Sequence, residues 1–320
     1  MSRLHGVVAD ALDADEHVAV TGATGWFGAT ALDLLFEVLG PDAPHRVTAY
    51  ASRRREVTVA DGRKVEVRPL AELPTQVPAP TTVLHFGYLT RDRVADLGVG
   101  PYVLANLTLT QVVLDAIARH RPRRVVMTSS GAVYRADRTL VTDVENDPYG
   151  ALKHLDELAF RTACADVGAT CVVPRVFSVA GPRMTKPEKY ALGSMVLAAQ
   201  AGSPVQVRAT GPVVRSFCGV DEVIAVALFA AAQGKDLVFD TGGTTVEVGE
   251  LAGVVAATVG RGPGDVERTW DPSAPADVYT GDQRRMDELA AGAGLELRDL
   301  PALVRATADW LAGRVPAGTS

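Results

Sequence analysis

Residues 17–31 read HVAVTGATGWFGATA, and the fold of the chain turns on them. The run at 17–21 (HVAVT) has the apolar, β-branched character of a strand buried on both faces. A glycine turn follows at Gly22, Gly25 and Gly28, after which the apolar spacing takes a helical period over residues 27–38. Gly22 permits the tight reversal, Gly25 lets the backbone approach a pyrophosphate, and Gly28 lets helix pack closely on strand. The helix N-terminus adds N–H donors and positive potential. Thr24, Trp26 and Phe27 complete the loop. Glycine spacing alone is a common structural turn, but a strand before it and a helix behind it make a dinucleotide cradle.

Outward from this turn, strand signals at 46–51, 64–67, 82–86, 124–128 and 170–177 alternate with helical spacing at 103–118 and 149–165. The alternation predicts an α/β fold, a Rossmann-type doubly wound parallel sheet. Beyond Ser178 the punctuation changes: Gly181-Pro182, Gly202-Ser203-Pro204 and Gly211-Pro212 cut the chain into shorter pieces. A helix at 221–232 and a strand at 237–240 return to the sheet, and amphipathic helices are expected at 246–259 and 282–312. The division that follows is 12–177 plus about 215–243 for the dinucleotide-binding domain. Residues 178–214 plus 244–320 form a smaller, discontinuous substrate-binding lobe.

Composition narrows the partners. A formal net charge of −6 over 320 residues leaves no electrostatic footprint for nucleic acid. Cys164, Cys171 and Cys218 are odd in number and form no CxxC pair, so they read as reduced thiols in a core, and no metal site is expected. The N-terminal stretch lacks the apolar segment of a signal peptide, and the apolar run at 223–232 is too short to cross a bilayer. A cytoplasmic protein with no membrane partner is expected.

The end of the second strand bears on the choice of dinucleotide. An acidic side chain there would accept the ribose hydroxyls of NAD, whereas the chain reads Tyr50-Ala51-Ser52-Arg53-Arg54-Arg55. Ser52 and Arg53 suit the extra phosphate of NADP, so the cofactor is NAD(P), leaning to NADP. Three arginines also serve as the solvated face of a loop.

A second motif supplies chemistry. In Tyr149-Gly150-Ala151-Leu152-Lys153, the i and i+4 side chains share a helix face, where the Lys153 ammonium can lower the Tyr149 phenol pKa. Tyr149 then exchanges a proton with a hydroxyl or carbonyl while hydride moves. Thr128-Ser129-Ser130-Gly131-Ala132-Val133-Tyr134 follows the fifth strand, at the sheet end where ligands bind, and offers a hydroxyl to orient the reacting oxygen. Each stretch has a bland alternative, a chance pair on a helix or a Ser/Thr-rich turn. Their order along the chain is the order this chemistry needs.

Together TGATGWFG, TSSGAVY, YGALK and PRVFSVAGP resemble the extended short-chain dehydrogenase/reductase family of nucleotide-sugar epimerases, dehydratases and ketoreductases, over about residues 16–312. The resemblance implies that Ser130 is the catalytic hydroxyl, Tyr149 the acid/base, and Lys153 its activator and a ligand of the nicotinamide ribose. It places Phe86, Gly87, Tyr88, Asn106 and Thr128 along the cofactor, with Pro174, Val176 and Phe177 beside the nicotinamide. Tyr88, Ser130, Ser178 and Arg215 fall on the substrate side. Ser178 stands where the family has an asparagine. Arg215 matches a pyrophosphate clamp, although a surface salt bridge is the plainer use of an arginine. A second phosphate-binding arginine of the family is missing from residues 270–275 (WDPSAP). The Asp-Glu pair that dehydratases carry after the catalytic hydroxyl is replaced by Gly131-Ala132.

The function these residues support is hydride transfer on a nucleotide-activated sugar, of the 4-ketoreductase or 4-epimerase type. One alternative is a dehydrogenase of a small hydroxy compound without a nucleotide. A non-catalytic dinucleotide sensor is a third. The resemblance also implies a homodimer, with Leu109, Val112, Val113 and Ile117 on one helix and Leu152, Leu155 and Leu158 on another as candidate apolar surface or core.

Overall fold

The apolar run after His17 forms β1 (Val18–Thr21), buried throughout. It lies between β2 (Val47–Ala51) and β5 (Thr82–His85), both parallel to it, with Val18 facing Val47 and Thr82. Beyond β2 come β4 (Lys64–Pro69) and the edge strand β3 (Arg55–Thr58), which runs antiparallel to β4. Beyond β5 come β6 (Arg124–Met127), β8 (Thr170–Val176) and β12 (Leu237–Asp240), all parallel, and the short β7 (Ser129–Ser130) also pairs with β8. The strand order reverses its direction of growth between β1 and β5, so a crevice opens outside their carboxyl ends. This computed structural model describes residues 2–271 and 273–313. The expected end of the lobe at 314–320, and Pro272 in the WDPSAP stretch, lie outside them.

The period of two along each strand sends alternate residues to opposite faces. Val18, Val20, Leu84 and Val126 pack with α1 (Arg3–Asp10), α2 (Trp26–Leu39) and α8 (Val220–Ala232). Ala19, Val83 and Val125 pack against Val113 and Ile117 of α5 (Val99–His120) and Phe160 of α6 (Pro148–Val167). Single-turn helices α3 (Ala43–Arg46) and α4 (Arg93–Leu97) serve as connectors. Among the described helices only α5 has the length and apolarity to cross a membrane. Here Val113 and Ile117 on it are fully buried against the sheet.

The second half contributes β9 (Ser178–Ala180), α7 (Ala191–Gln200), β10 (Val205–Val207) and β11 (Val213–Gly219). After β12 follow β13 (Thr244–Glu247), α9 (Val248–Thr258), β14 (Val266–Arg268), β15 (Asp277–Tyr279), α10 (Arg284–Gly292) and α11 (Leu300–Ala312). A small sheet centres on β11, paired with β9, β13 and β15, and β10 pairs separately with β14.

Four features depart from the expectations. Residues before 12 form α1, whose Val7 and Val8 are buried under α2 and α8. The arginine run opens the β3–β4 hairpin, and Arg54 is held by Glu66 and Glu72. β11 lies in the lobe sheet, and only α8 and β12 return to the large one. The helix expected over 282–312 is two helices, interrupted at Gly294 (φ +63°), where the Arg3 guanidinium donates to the carbonyls of Ala293 and Gly294.

Gly28 is the most tightly held of the three motif glycines. A Cβ there would lie 2.2 Å from the Gly22 carbonyl oxygen and 2.6 Å from its carbon, backbone that no rotamer can relieve. Gly28→Ala should therefore destabilise the fold by about 1–3 kcal/mol or more, read by chemical denaturation, and should abolish dinucleotide binding. Unchanged stability with intact binding would contradict this packing.

Candidate active site

The cofactor side is built first. Gly22 (φ +67°) ends β1 in a conformation that suits glycine, and a Cβ there would come within 2.6 Å of the Phe86 and Gly87 backbone. The loop after β5 thus lies directly on the glycine turn. Gly25 is different: a Cβ there would meet only the Gly22 carbonyl oxygen, at 3.3 Å. α2 begins without a side-chain cap, so its first N–H groups are available to an anion. Uncapped N-terminus and uncrowded Gly25 fit a dinucleotide pyrophosphate. Thr24, Ser52 and Arg53 are exposed at this end.

Trp26 and Asn106 are committed elsewhere. The Trp26 indole donates to the Pro182 carbonyl (2.7 Å) and meets the Tyr190 ring edge-on, so its side chain fastens the lobe and only its backbone faces the cradle. The Asn106 amide is buried, accepting from Leu89 N (2.9 Å) and donating to the Leu89 and Tyr102 carbonyls. It shapes the loop of Phe86, Gly87 and Tyr88 from behind and cannot also contact a cofactor. Phe27 packs on Phe86 with the rings tilted, centroids 5.6 Å apart. His85, buried and held by Thr21 Oγ1 (2.7 Å), is driven down to about 3 by burial and then by the Lys153 charge, so it is neutral.

The reacting side gathers at the ends of β6 and β7. α6 is brought close by Gly150, where a Cβ would lie 2.3 Å from the Ala132 carbonyl oxygen. That approach sets Tyr149 beside the Ser130 loop. Ser130 Oγ accepts from Ala132 N (3.1 Å), which leaves its O–H to be donated, and lies 3.4 Å from the Tyr279 hydroxyl. Burial raises the Tyr149 phenol above its ordinary value, with the Ser130 hydroxyl acting the other way. Lys153 is buried, donates to the Thr128 carbonyl (2.9 Å), and lies 3.6 Å from the centre of the Tyr88 ring. Burial lowers it to about 8, against the pull of Asp156 and Glu157. The expected contact of ammonium with phenol is thus replaced here by a carbonyl and a ring face, and the Tyr88 ring meets Tyr149 edge-on (5.9 Å).

On the lobe side, Pro174 is buried within β8, and Val176 and Phe177 follow it to the strand end. The Phe177 ring presses on Gly131, where a Cβ would lie 2.5 Å from it, and packs against Tyr279 at 4.7 Å. Ser178 is half-buried in β9, its backbone beside Phe217. Arg215 donates to the Asp277 carboxylate (2.6 Å) and carbonyl (2.9 Å), the surface ion pair that was its plainer alternative. Tyr279, pushed up to about 12 by burial, was not anticipated. It belongs to a three-residue strand with no periodic signal. Nor were site roles expected for Tyr134, Arg138 and Asp240, which form one hydrogen-bonded cluster beside a cavity of about 520 Å³ that Phe177 and Tyr279 also line.

Residues 18–248 match the family described as NAD dependent epimerase/dehydratase. The chain belongs to that family. A curated relative, dTDP-glucose 4,6-dehydratase of Streptomyces griseus, is 27% identical over 95% of this chain and 98% of its own. A dTDP-4-dehydro-6-deoxy-D-allose reductase of Streptomyces sp. is 25% identical over 92% and 95%. Among solved structures, a dTDP-glucose 4,6-dehydratase of Streptomyces venezuelae with NAD bound has a TM-score of 0.72 at 19% identity, covering 93% of this chain and 97% of that one. The chain is thus an enzyme of the epimerase/dehydratase family with the Rossmann-type fold read from its glycine turn, and NAD(P) is its type of cofactor.

A buried ammonium that titrates low makes a stability prediction. Between about 8 and the ordinary 10.5, the native state binds fewer protons at Lys153 than the unfolded state, so stability rises with pH across that window. Below it the burial penalty is carried in full. Lys153→Met should raise Tm by a few degrees at pH 7, and the gain should shrink as pH climbs from 8 to 10.5, followed by scanning calorimetry. A lower Tm at pH 7 would reverse this account.

Proposed function

We propose that the chain transfers hydride at C4, or a neighbouring carbon, of a nucleotide-activated sugar, as a 4-ketoreductase or 4-epimerase. The observation that carries this is the gathering of Ser130, Tyr149 and Lys153 at the strand ends, beside the glycine turn. A bound nicotinamide supplies the hydride chemistry and, when oxidised, a positive charge. Ser130 donates its O–H to the reacting oxygen. Tyr149 gives or takes the proton on that oxygen, and Lys153 favours the phenolate by its charge. The curated relatives named above act on dTDP-sugars, which supports a nucleotide sugar as substrate. Gly131-Ala132, in place of a carboxylate pair, disfavours dehydration.

A second reading rests on the arginines. Arg215 is occupied by Asp277, Arg268 by Glu247, and no arginine stands at 270–275. A small hydroxy compound without a nucleotide would need none of them. A sensor is disfavoured, because it has no use for a buried lysine at helical spacing from Tyr149. The absence of a carboxylate from Tyr50 to Arg55 supports NADP. Buried, unpaired Cys164, Cys171 and Cys218 agree with a reducing, cytoplasmic setting.

Calorimetric titration with uridine, thymidine, guanosine and cytidine diphosphates separates the readings. The nucleotide-sugar function expects one of them to bind, and the small-substrate reading expects none. With the matching sugar nucleotide, Tyr149→Phe should lose at least about a thousandfold in kcat while keeping dinucleotide affinity. Full turnover in that variant would sink the mechanism.

We also infer a homodimer, through a face that keeps Leu155 and Leu158 of the residues first considered and adds Leu104 and Leu107. Val113, Ile117 and Leu152 are core, whereas Leu104 (67% exposed), Leu107 (40%), Leu155 (46%) and Leu158 (50%) leave a leucine strip on α5 and α6. Apolar side chains clustered this way on two packed helices suit a copy of the same strip. Leu158→Glu should convert the dimer to monomer in sedimentation velocity. A wild-type protein that sediments as a monomer at micromolar concentration would refute the interface.

A further inference from the structure

Three consecutive arginines leave β2, and each meets a different environment. Arg53 is exposed. Arg54 donates to Glu66 and Glu72 and closes the hairpin. Arg55, the first residue of β3, is half-buried and forms no ion pair among the described residues. Its Nε is buried without a hydrogen-bond partner. A buried guanidinium nitrogen with no acceptor costs folding free energy unless an anion takes it up.

Arg55 lines a cavity of about 340 Å³ with Ala23 and Thr24 of the glycine turn, and with Arg183 and Thr185 from the lobe segment after β9. The other charges on its wall cancel. Arg183 is held two-pronged by Asp33, and Glu56 is paired with Lys64 (2.8 Å). One uncompensated positive charge remains, and Thr24 and Thr185 line the same cavity. Thr24 directly precedes Gly25 and the N-terminus of α2, where a pyrophosphate fits. In a dinucleotide the adenosine ribose is bonded to that pyrophosphate, so its 2′ substituent lies within one sugar of Thr24.

We propose that Arg55, in place of the exposed Arg53, is the cation that selects NADP, holding the 2′-phosphate with help from Thr24 and from Thr185 of the lobe. The inference rests on the NADP reading above and sharpens it. The site joins the two parts of the molecule. Asp33 on α2 anchors Arg183, so a phosphate bound between Arg55 and Thr185 ties the lobe segment to the glycine turn.

The test is calorimetric binding of NADP, NAD and inorganic phosphate to the full chain and its variants. The wild type should bind NADP at least about tenfold more tightly than NAD, and inorganic phosphate should compete with NADP but not with NAD. Arg55→Ala should weaken NADP by about 10- to 100-fold and leave NAD within about twofold, as expected for one charge-assisted contact. Thr185→Val should cost NADP alone about three- to tenfold. Should Arg55→Ala fold poorly, Arg55→Lys keeps the charge but loses the planar fork, and an intermediate loss confined to NADP is expected. Equal losses of NAD and NADP would make Arg55 merely structural. A loss carried by Arg53→Ala instead, with wild-type preference intact, would overturn the site and spare the NADP reading. A wild type with no preference would overturn both.

Discussion

Behind the catalytic loop, the carboxylate of Glu157 meets the guanidinium of Arg175 two-pronged, at 2.8 and 2.6 Å. Both groups are largely out of water, where an ion pair survives only if its remaining valences are filled. They are filled: Ser129 Oγ donates to Glu157 (2.6 Å), Arg175 donates to the Tyr134 hydroxyl, and that hydroxyl donates to Asp240 (2.9 Å). Arg138 and the backbone N–H of Asp282 complete Asp240. One chain of bonds therefore joins α6, which bears Tyr149 and Lys153, to β7, which ends in Ser130, and to β8, β12 and the lobe loop after β15. Breaking such a pair from one side costs about 3–5 kcal/mol. The separation of Ser130 from Tyr149 is set by this network rather than by the preferences of a Ser-rich turn.

The network also explains the state of Lys153. Two carboxylates are close to it on its own helix, but Glu157 is taken by Arg175 and Asp156 accepts from Thr110 (2.9 Å). Burial moves Asp156 up to about 6, with Lys153 and Thr110 opposing it. The ammonium is left with one carbonyl and the face of Tyr88, a cation–π contact of about 0.5–2 kcal/mol. Burial lowers the lysine and raises the tyrosine, so Lys153 holds its charge less firmly than a free lysine and Tyr149 stays protonated without a ligand. A lysine locked into an ion pair would be better charged but less free to turn toward a ribose hydroxyl or a phenol. The arrangement leaves the pair responsive to whatever charge is placed beside it.

The parts legible in sequence were those with a period or a steric rule. β1, the glycine turn and α2 followed from apolar runs and glycine spacing, and β5, β6, β8 and α6 from the same alternation of patterns. What escaped was fixed by tertiary partners. α1 is short, and its two buried valines are too few to show a helical period. The β3–β4 hairpin looks like a basic loop until Glu66 and Glu72 are placed opposite Arg54. Val113, Ile117 and Leu152 share apolar character with Leu155 and Leu158, and only packing separates core from surface. Tyr279 reaches the Ser130 hydroxyl across 149 positions of sequence, from a strand too short to show any period. Asn106 was placed by resemblance beside the cofactor. The three backbone groups it bonds were invisible in sequence, and they make it a strut for the loop instead.

The contact between Phe177 and Gly131 connects this packing to reaction class. With the ring lying where a Cβ at 131 would have to be, any side chain after Ser130 requires Phe177 to move. Phe177 is itself held: Tyr279 packs on one side at 4.7 Å, Gly281 leaves no more room, and the Phe177 N–H is bonded to Thr241 Oγ1 (3.0 Å). Several residues of the lobe would have to shift together to admit a carboxylate beside Ser130. A dehydratase needs an acid and a base near the carbon that loses water, in addition to the group that handles the C4 oxygen. Among the described residues, the side chains converging on the Ser130 hydroxyl are the phenols of Tyr149 and Tyr279, both raised by burial and both suited to hydrogen-bonding a neutral or anionic oxygen. Likeness to a dehydratase across nearly the whole chain thus coexists with a pocket whose packing favours proton exchange at a single oxygen.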